Sequence, residues 1–198
     1  METSNSFESE EIAKHEFDLL KPCKNTKINF NRVSDCNLEE VINVSKANIP
    51  NSISDVLLIK KIIQHNNDNV FCFTRNQRVV GFCAMLMLSP LGLERLLLDE
   101  FDGKNPDFKC LSKTEENTAA IYMWGLVASG FAIEGVRHMS QFLQQSKYKT
   151  INFFSRPNTD AGVRININLG FKPVENAEGD LYRYVRIVNR DPNLQRAA

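Results

Sequence analysis

The chain has 198 residues, enough for one domain with a sizeable core, and its 42% apolar and 24% charged residues are those of an ordinary globular protein. Lys+Arg and Asp+Glu both number 24, so the formal net charge is zero; this excludes bulk electrostatic capture of nucleic acid or an anionic membrane and leaves only local patches. The longest apolar run, "VVGFCAMLML", is about half the ~20 residues of a membrane span, and the N-terminus lacks a secretory pattern, so the reading is a soluble, cytoplasmic protein with no nucleic-acid partner.

Residues 1–26 are polar, with a short helical pattern (Phe7, Ile12, Phe17, Leu20) that stops before Pro22, and read as an N-terminal arm. "KINFNRV" (27–33) alternates as a strand. "SDCNLEEVINVSKA" follows as a helix capped by Ser34 or Asp35, and "SISDVLLIKKIIQH" (52–65) is a second helix. "NVFCFTR" (69–75) and "RVVGFCAMLML" (78–88) are two strands about Asn76-Gln77, a hairpin signal.

Residues 89–118 are too long for a hairpin connection and form an insert. Leu93, Leu96, Leu97 and Phe101 make one face of a helix there. It either covers one end of the sheet or serves as a substrate-side lid or oligomer contact. "AAIYMWGLVA" (119–128) is a long strand, and 133–146 is a helix with Ile133, Val136, Met139, Phe142 and Leu143 on one face. "KTINFFS" is another strand, "NTDAGVRININL" a helix ended by Gly170, and "FKPVE" with "LYRYVRIV" a last strand pair; 191–198 is a C-terminal tail.

The five cysteines include no C-x-x-C, and His15, His65 and His138 are far apart, so no metal spacing is present. Cys72 and Cys83 fall in apolar strands and read as small buried hydrophobes.

The order β-α-α-β-β-(insert)-β-α-β-α-β-β over 27–190, the strand-to-helix junction "GLVASGFAIEGVRHMSQFL" (125–143) and the helix-ending Gly170-Phe171 of "NLGFKPV" together resemble the GCN5-related N-acetyltransferase (GNAT) superfamily, as a divergent member. The resemblance implies a mixed α/β (α+β) fold with a mostly antiparallel sheet of six to seven strands flanked by helices. It implies acyl transfer from acetyl-CoA or another acyl-CoA to a small-molecule or protein amine. Leu126, Val127 and Ala128 would pair with the pantetheine arm. Ala132, Ile133, Glu134, Gly135, Val136, Arg137 and His138, at a helix start whose dipole favours anions, would hold the pyrophosphate, with Asn158 completing the site.

The family loop usually reads Arg/Gln-x-x-Gly-x-Gly/Ala, whereas here Ala132 and Arg137 stand at its first and last positions. Arg137 either blocks the approach or donates its guanidinium to a phosphate. Asn166 occupies the place of a proton-donating tyrosine, and "AAIYMWGLVA" holds no carboxylate; Glu100, Glu115 and Glu116 are candidate bases by location. Catalytic residues are therefore unassigned.

Two further readings stay open. One is a catalytically degenerate acyl-CoA-binding or protein-interaction module. The other is transfer from acyl carrier protein, as in acyl-homoserine-lactone synthases, with Arg156, Arg164, Lys147 and Lys149 as a basic patch. A homodimer is compatible with all three.

Overall fold

The computed structural model describes residues 27–49, 55–114, 117–128, 130–144, 147–175, 177 and 180–186. The N-terminal arm, the C-terminal tail, Glu115 and Glu116 lie outside the described residues. The strands are β1 (Asn29–Arg32), β2 (Val70–Arg75), β3 (Arg78–Leu88), β4 (Ala120–Val127), β5 (Phe153–Ser155), β6 (Lys172–Pro173) and β7 (Tyr182–Tyr184). The helices are α1 (Asp35–Asn48), α2 (Val56–His65), α3 (Pro90–Leu97), α4 (Ile133–Leu143) and α5 (Asp160–Asn168). They follow one another in the order read from the sequence.

One seven-stranded sheet runs β1-β2-β3-β4-β5-β7-β6, and every neighbouring pair is antiparallel except β4 with β5. The expected mixed, mostly antiparallel sheet is therefore present. The strand from "KTINFFS" is reduced to Phe153–Ser155, because the residues before it turn: Ile151 N–H bonds the Tyr148 carbonyl. At the β2–β3 turn both Asn76 (φ 50°) and Gln77 (φ 66°) are left-handed. Such a turn suits the twist of a two-residue hairpin.

The core lies on both faces of the sheet. On one, Leu38, Val41 and Ile42 of α1, Ile59 and Ile62 of α2 and Leu96 of α3 pack on Val70, Phe82, Ala84 and Tyr122. On the other, Val136, Met139 and Leu143 of α4 pack on Phe73, Cys83, Met85 and Ile121. The central strands β2 and β3 are covered on both sides, which is why they read as continuous apolar runs.

The insert docks on this frame. Ser89 caps α3 by accepting from the Gly92 N–H at 3.2 Å, and its hydroxyl donates to the Lys109 carbonyl at 2.9 Å. Leu96 is buried, but Leu97, expected on the same face, is exposed. The helix ends at Leu97, so Phe101 reaches the core from the loop beyond it.

Asp68, just before β2, ties distant segments together. One carboxylate oxygen accepts from Arg32 Nε (2.8 Å) and Nη2 (2.6 Å); the other accepts from Lys147 Nζ (2.7 Å) and the Tyr148 hydroxyl (2.6 Å). Burial raises the Asp68 pKa, but hydrogen bonds from Lys147, Tyr148 and Arg32 outweigh it, so the net shift is downward. A group with a lowered folded pKa stabilises the fold above its unfolded pKa, and that contribution is lost as pH falls through the folded value. Asp68→Asn is expected to cost about 1–3 kcal/mol at neutral pH, since it weakens charge-assisted bonds to a buried Tyr148 hydroxyl. Urea unfolding across the acid range checks this: the gap between native protein and variant holds at neutral pH and narrows only below about pH 4.

Candidate functional site

The sheet is incomplete at its centre. β4 has β3 beside it up to Val127, but β5 pairs with it only at Ile121↔Phe153, Tyr122↔Phe154 and Met123↔Ser155. Among the described residues, β4 has a strand partner on one side only from Trp124 to Val127. Two local features cause this. Pro157 follows Ser155 by two residues; it has no N–H for a ladder and restricts Arg156 before it. Opposite β3, Ala84 faces Gly125 while Met85 faces Met123, so Trp124 is the extra residue of a β-bulge, which bends the strand and reverses its alternation.

The opened edge lines a cleft of about 250 Å³. One wall is the edge of β4 from Trp124 to Val127 with Ala128; the other is Pro157, Asn158 and the first turn of α5. That helix starts here because Thr159 caps it, its hydroxyl accepting from the Gly162 N–H at 3.0 Å. At the inner end stands Asn166, 6% exposed, whose amide nitrogen has no hydrogen-bond partner among the described residues.

A second cavity of about 370 Å³ adjoins the cleft and shares Ile49, Trp124, Gly125, Arg156 and Asn158 with it. The insert closes one side of this chamber with Phe101, Asp102, Gly103 and Lys104. Two contacts fix the insert there: Trp124 Nε1 donates to the Gly103 carbonyl at 2.6 Å, and the Arg156 guanidinium bonds the Asp99 carboxylate and the Leu96 carbonyl. Asp99 holds a left-handed conformation (φ 60°) just past α3, a place that aspartate tolerates better than most residues. Tyr122 also lines the chamber. Burial raises its pKa, partly opposed by Arg156, so the phenol stays protonated at neutral pH.

Of the residues singled out in the sequence, Leu126, Val127, Ala128 and Asn158 line the cleft. Ala132 and Val136 are buried in the core, and Ile133 packs against it. Glu134 is buried and accepts from Arg137 Nε at 2.8 Å and Nη2 at 2.6 Å, so a carboxylate already occupies one edge of that guanidinium. His138 Nδ1 lies 3.3 Å from the Gln141 side-chain oxygen. A β-carbon on Gly135 would stand 2.3 Å from the Phe73 ring; glycine there lets α4 approach the sheet.

The four basic residues do not form one free patch: Lys147 is bound to Asp68 and Arg156 to Asp99. Cys72 and Cys83 are wholly buried; desolvation raises Cys72 to about 11 and pushes Cys83 higher, so both are protonated thiols. The sequence reading did not single out Gly125, Pro157 or Thr159 for the cleft, or Arg156 as its link to the insert. A glycine inside a strand and a proline just past a short one were the available signals.

The architecture is similar to that of solved acetyltransferases. A GNAT-family acetyltransferase from Listeria monocytogenes 4b F2365 matches with a TM-score of 0.50 at 12% identity, covering 81% of this chain and 96% of that one. Arabidopsis thaliana NAA60, solved in complex with acetyl-CoA, matches at 0.49 and 11% identity, covering 80% and 99%. The Bacillus subtilis N-acetyltransferase YlbP, solved with Coenzyme-A, matches at 0.47 and 12%, covering 81% and 97%. The Listeria match, at a TM-score of 0.50 and 12% identity, is a likeness of fold alone: the chain has the GNAT fold. No family model matches the sequence, and no curated protein sequence matches it.

The setting of Gly135 makes a direct prediction. Gly135→Ala gains up to about 1 kcal/mol of helix propensity but drives a methyl group into a fully buried ring, an overpacking cost of typically 1–3 kcal/mol. Denaturant unfolding is expected to show net destabilisation of roughly 1–2 kcal/mol; a stabilised variant would mean that α4 can move away from the sheet at no cost.

Proposed function

We propose that this GNAT-fold chain is an acyl-CoA-dependent N-acyltransferase, moving an acetyl or other acyl group to an amine. The observation that carries the reading is the cleft where β4 parts from β5. Main-chain groups left there without a strand partner need hydrogen bonds from elsewhere, and an extended ligand with amide groups supplies them as an added strand would. The pantetheine arm of CoA is such a ligand, and the main chain of 124–128 would hold it. The buried, unpartnered amide of Asn166 fits the same occupant, because a buried donor without a partner costs about 1–3 kcal/mol and a polar ligand removes that cost.

The first turn of α5, with Thr159, Ala161 and Gly162 on the cleft, and the start of α4 beyond Val127 present positive helix ends for the phosphates. Bound acyl-CoA supplies an activated thioester; the chain's own residues orient it and exclude water. Asn166 is able to donate a hydrogen bond to a sulfur atom but not a proton, so the catalytic contribution of this site rests on positioning rather than on an acid side chain. Asp102 is the only carboxylate among the described residues that line the cleft and chamber, and it attracts a cationic amine to the chamber side.

CoA at a hundred times its dissociation constant stabilises a protein by about 2.7 kcal/mol, which for a chain of this size raises the melting temperature by roughly 5–10 °C. Ala161 is exposed at the cleft wall, so Ala161→Trp is expected to cover the cleft, weaken CoA at least about tenfold and leave the ligand-free melting temperature within a degree or two. Calorimetric titration and thermal unfolding of both proteins check this. An unchanged CoA affinity in the variant would place the binding site outside the cleft.

A further inference from the structure

The chamber beside the cleft is far larger than an acetyl group needs. At about 370 Å³ it has room for roughly a dozen water-sized groups. Its deep wall is apolar: Val41, Ile42, Ile59, Val70, Phe82 and Ala84, from α1, α2, β2 and β3. Ser45 is the one polar side chain on that wall. The charged and polar groups, Asp102, Lys104, Arg156 and Asn158, belong to the other end, formed by the insert and the segment after β5. The two ends therefore favour different chemistry: a hydrocarbon at one, a polar amine at the other.

Gly125 lies where cleft and chamber meet. A β-carbon there would stand 3.2 Å from the Phe82 ring and 3.7 Å from the Ile49 side chain, so any larger residue would narrow the passage. The bulge at Trp124 is what turns this residue toward the chamber rather than toward α4. Hydrocarbon lying against this apolar wall gains both transfer and packing free energy.

Resting on the reading just proposed, we infer that the donor is a medium-chain acyl-CoA, of about six to eight carbons, whose hydrocarbon tail passes Gly125 and lies in the chamber against α1 and α2. The acceptor amine then enters from the Asp102 end. The insert acts as the wall that separates the tail from solvent, held by Trp124 on Gly103 and Arg156 on Asp99.

Titration calorimetry of the full chain with CoA, acetyl-, butyryl-, hexanoyl- and octanoyl-CoA tests this without any turnover. Each buried methylene is worth about fourfold in affinity, so octanoyl-CoA is expected to bind at least about a hundredfold tighter than acetyl-CoA. Ser45→Leu, which fills the chamber from α1, is expected to remove most of that gain. Ser45→Val, a smaller intrusion, is expected to shift the tightest-binding chain about two carbons shorter, and serves if the leucine variant does not fold. Equal affinity for acetyl- and octanoyl-CoA in the native protein would overturn the inference while leaving the proposed function intact. A full chain-length gain retained in a folded Ser45 variant would put the tail elsewhere and overturn it too. If neither CoA nor any thioester binds, the inference falls together with the reading on which it rests.

Discussion

The molecule is organised around a strand whose second half keeps only one strand neighbour among the described residues. β4 is paired with β3 up to Val127, yet past Met123 it has no strand on its β5 side among the described residues. Such an edge inside a sheet is unusual, because backbone donors and acceptors shielded from water need partners. It is maintained by one covalent feature and one feature of strand register. A proline stops β5 from continuing, and an inserted residue, Trp124, bends β4 away. The cleft and its adjoining chamber, and the placing of Gly125 between them, all follow from that divergence.

Stability and site are kept apart in this design. The Asp68 cluster joins β1, the start of β2 and the segment after α4, and it lies away from the cleft. The aromatic stack of Phe30 on Phe71, with ring centroids 4.4 Å apart, secures the edge strand on the α4 side. The insert is the exception. Its helix is fixed to the core by Leu96 and to Cys110 by the close approach of Gly92, while its following loop forms one wall of the chamber. The same segment thus serves packing and the site.

Much of the fold was legible because local signals agreed with the tertiary structure. Apolar runs marked β2 and β3, helical spacing marked α1 and α4, and Gly170 marked the end of α5. The site was legible only in part. Leu126, Val127 and Ala128 of the strand-to-helix junction line the cleft, and so does Asn158. Gly135 shows the limit: a glycine at a helix start signals close approach, but the sequence does not say whether a ligand or the Phe73 ring approaches. Nor does it encode register plainly. The bulge that leaves Trp124 unmatched and turns Gly125 toward the chamber depends on how β3 and β4 pair, information that alternation alone lacks.

The central claim is that the unpaired edge of β4 receives the ligand's main-chain-like groups. Amide hydrogen exchange of the full chain, with and without saturating CoA, addresses it at single-segment resolution. Slowed exchange over residues 125–128 and at the start of α5, with the β1–β3 strands little changed, is the result this account predicts. Protection confined to other segments, with 125–128 exchanging as fast as in the free protein, would contradict it.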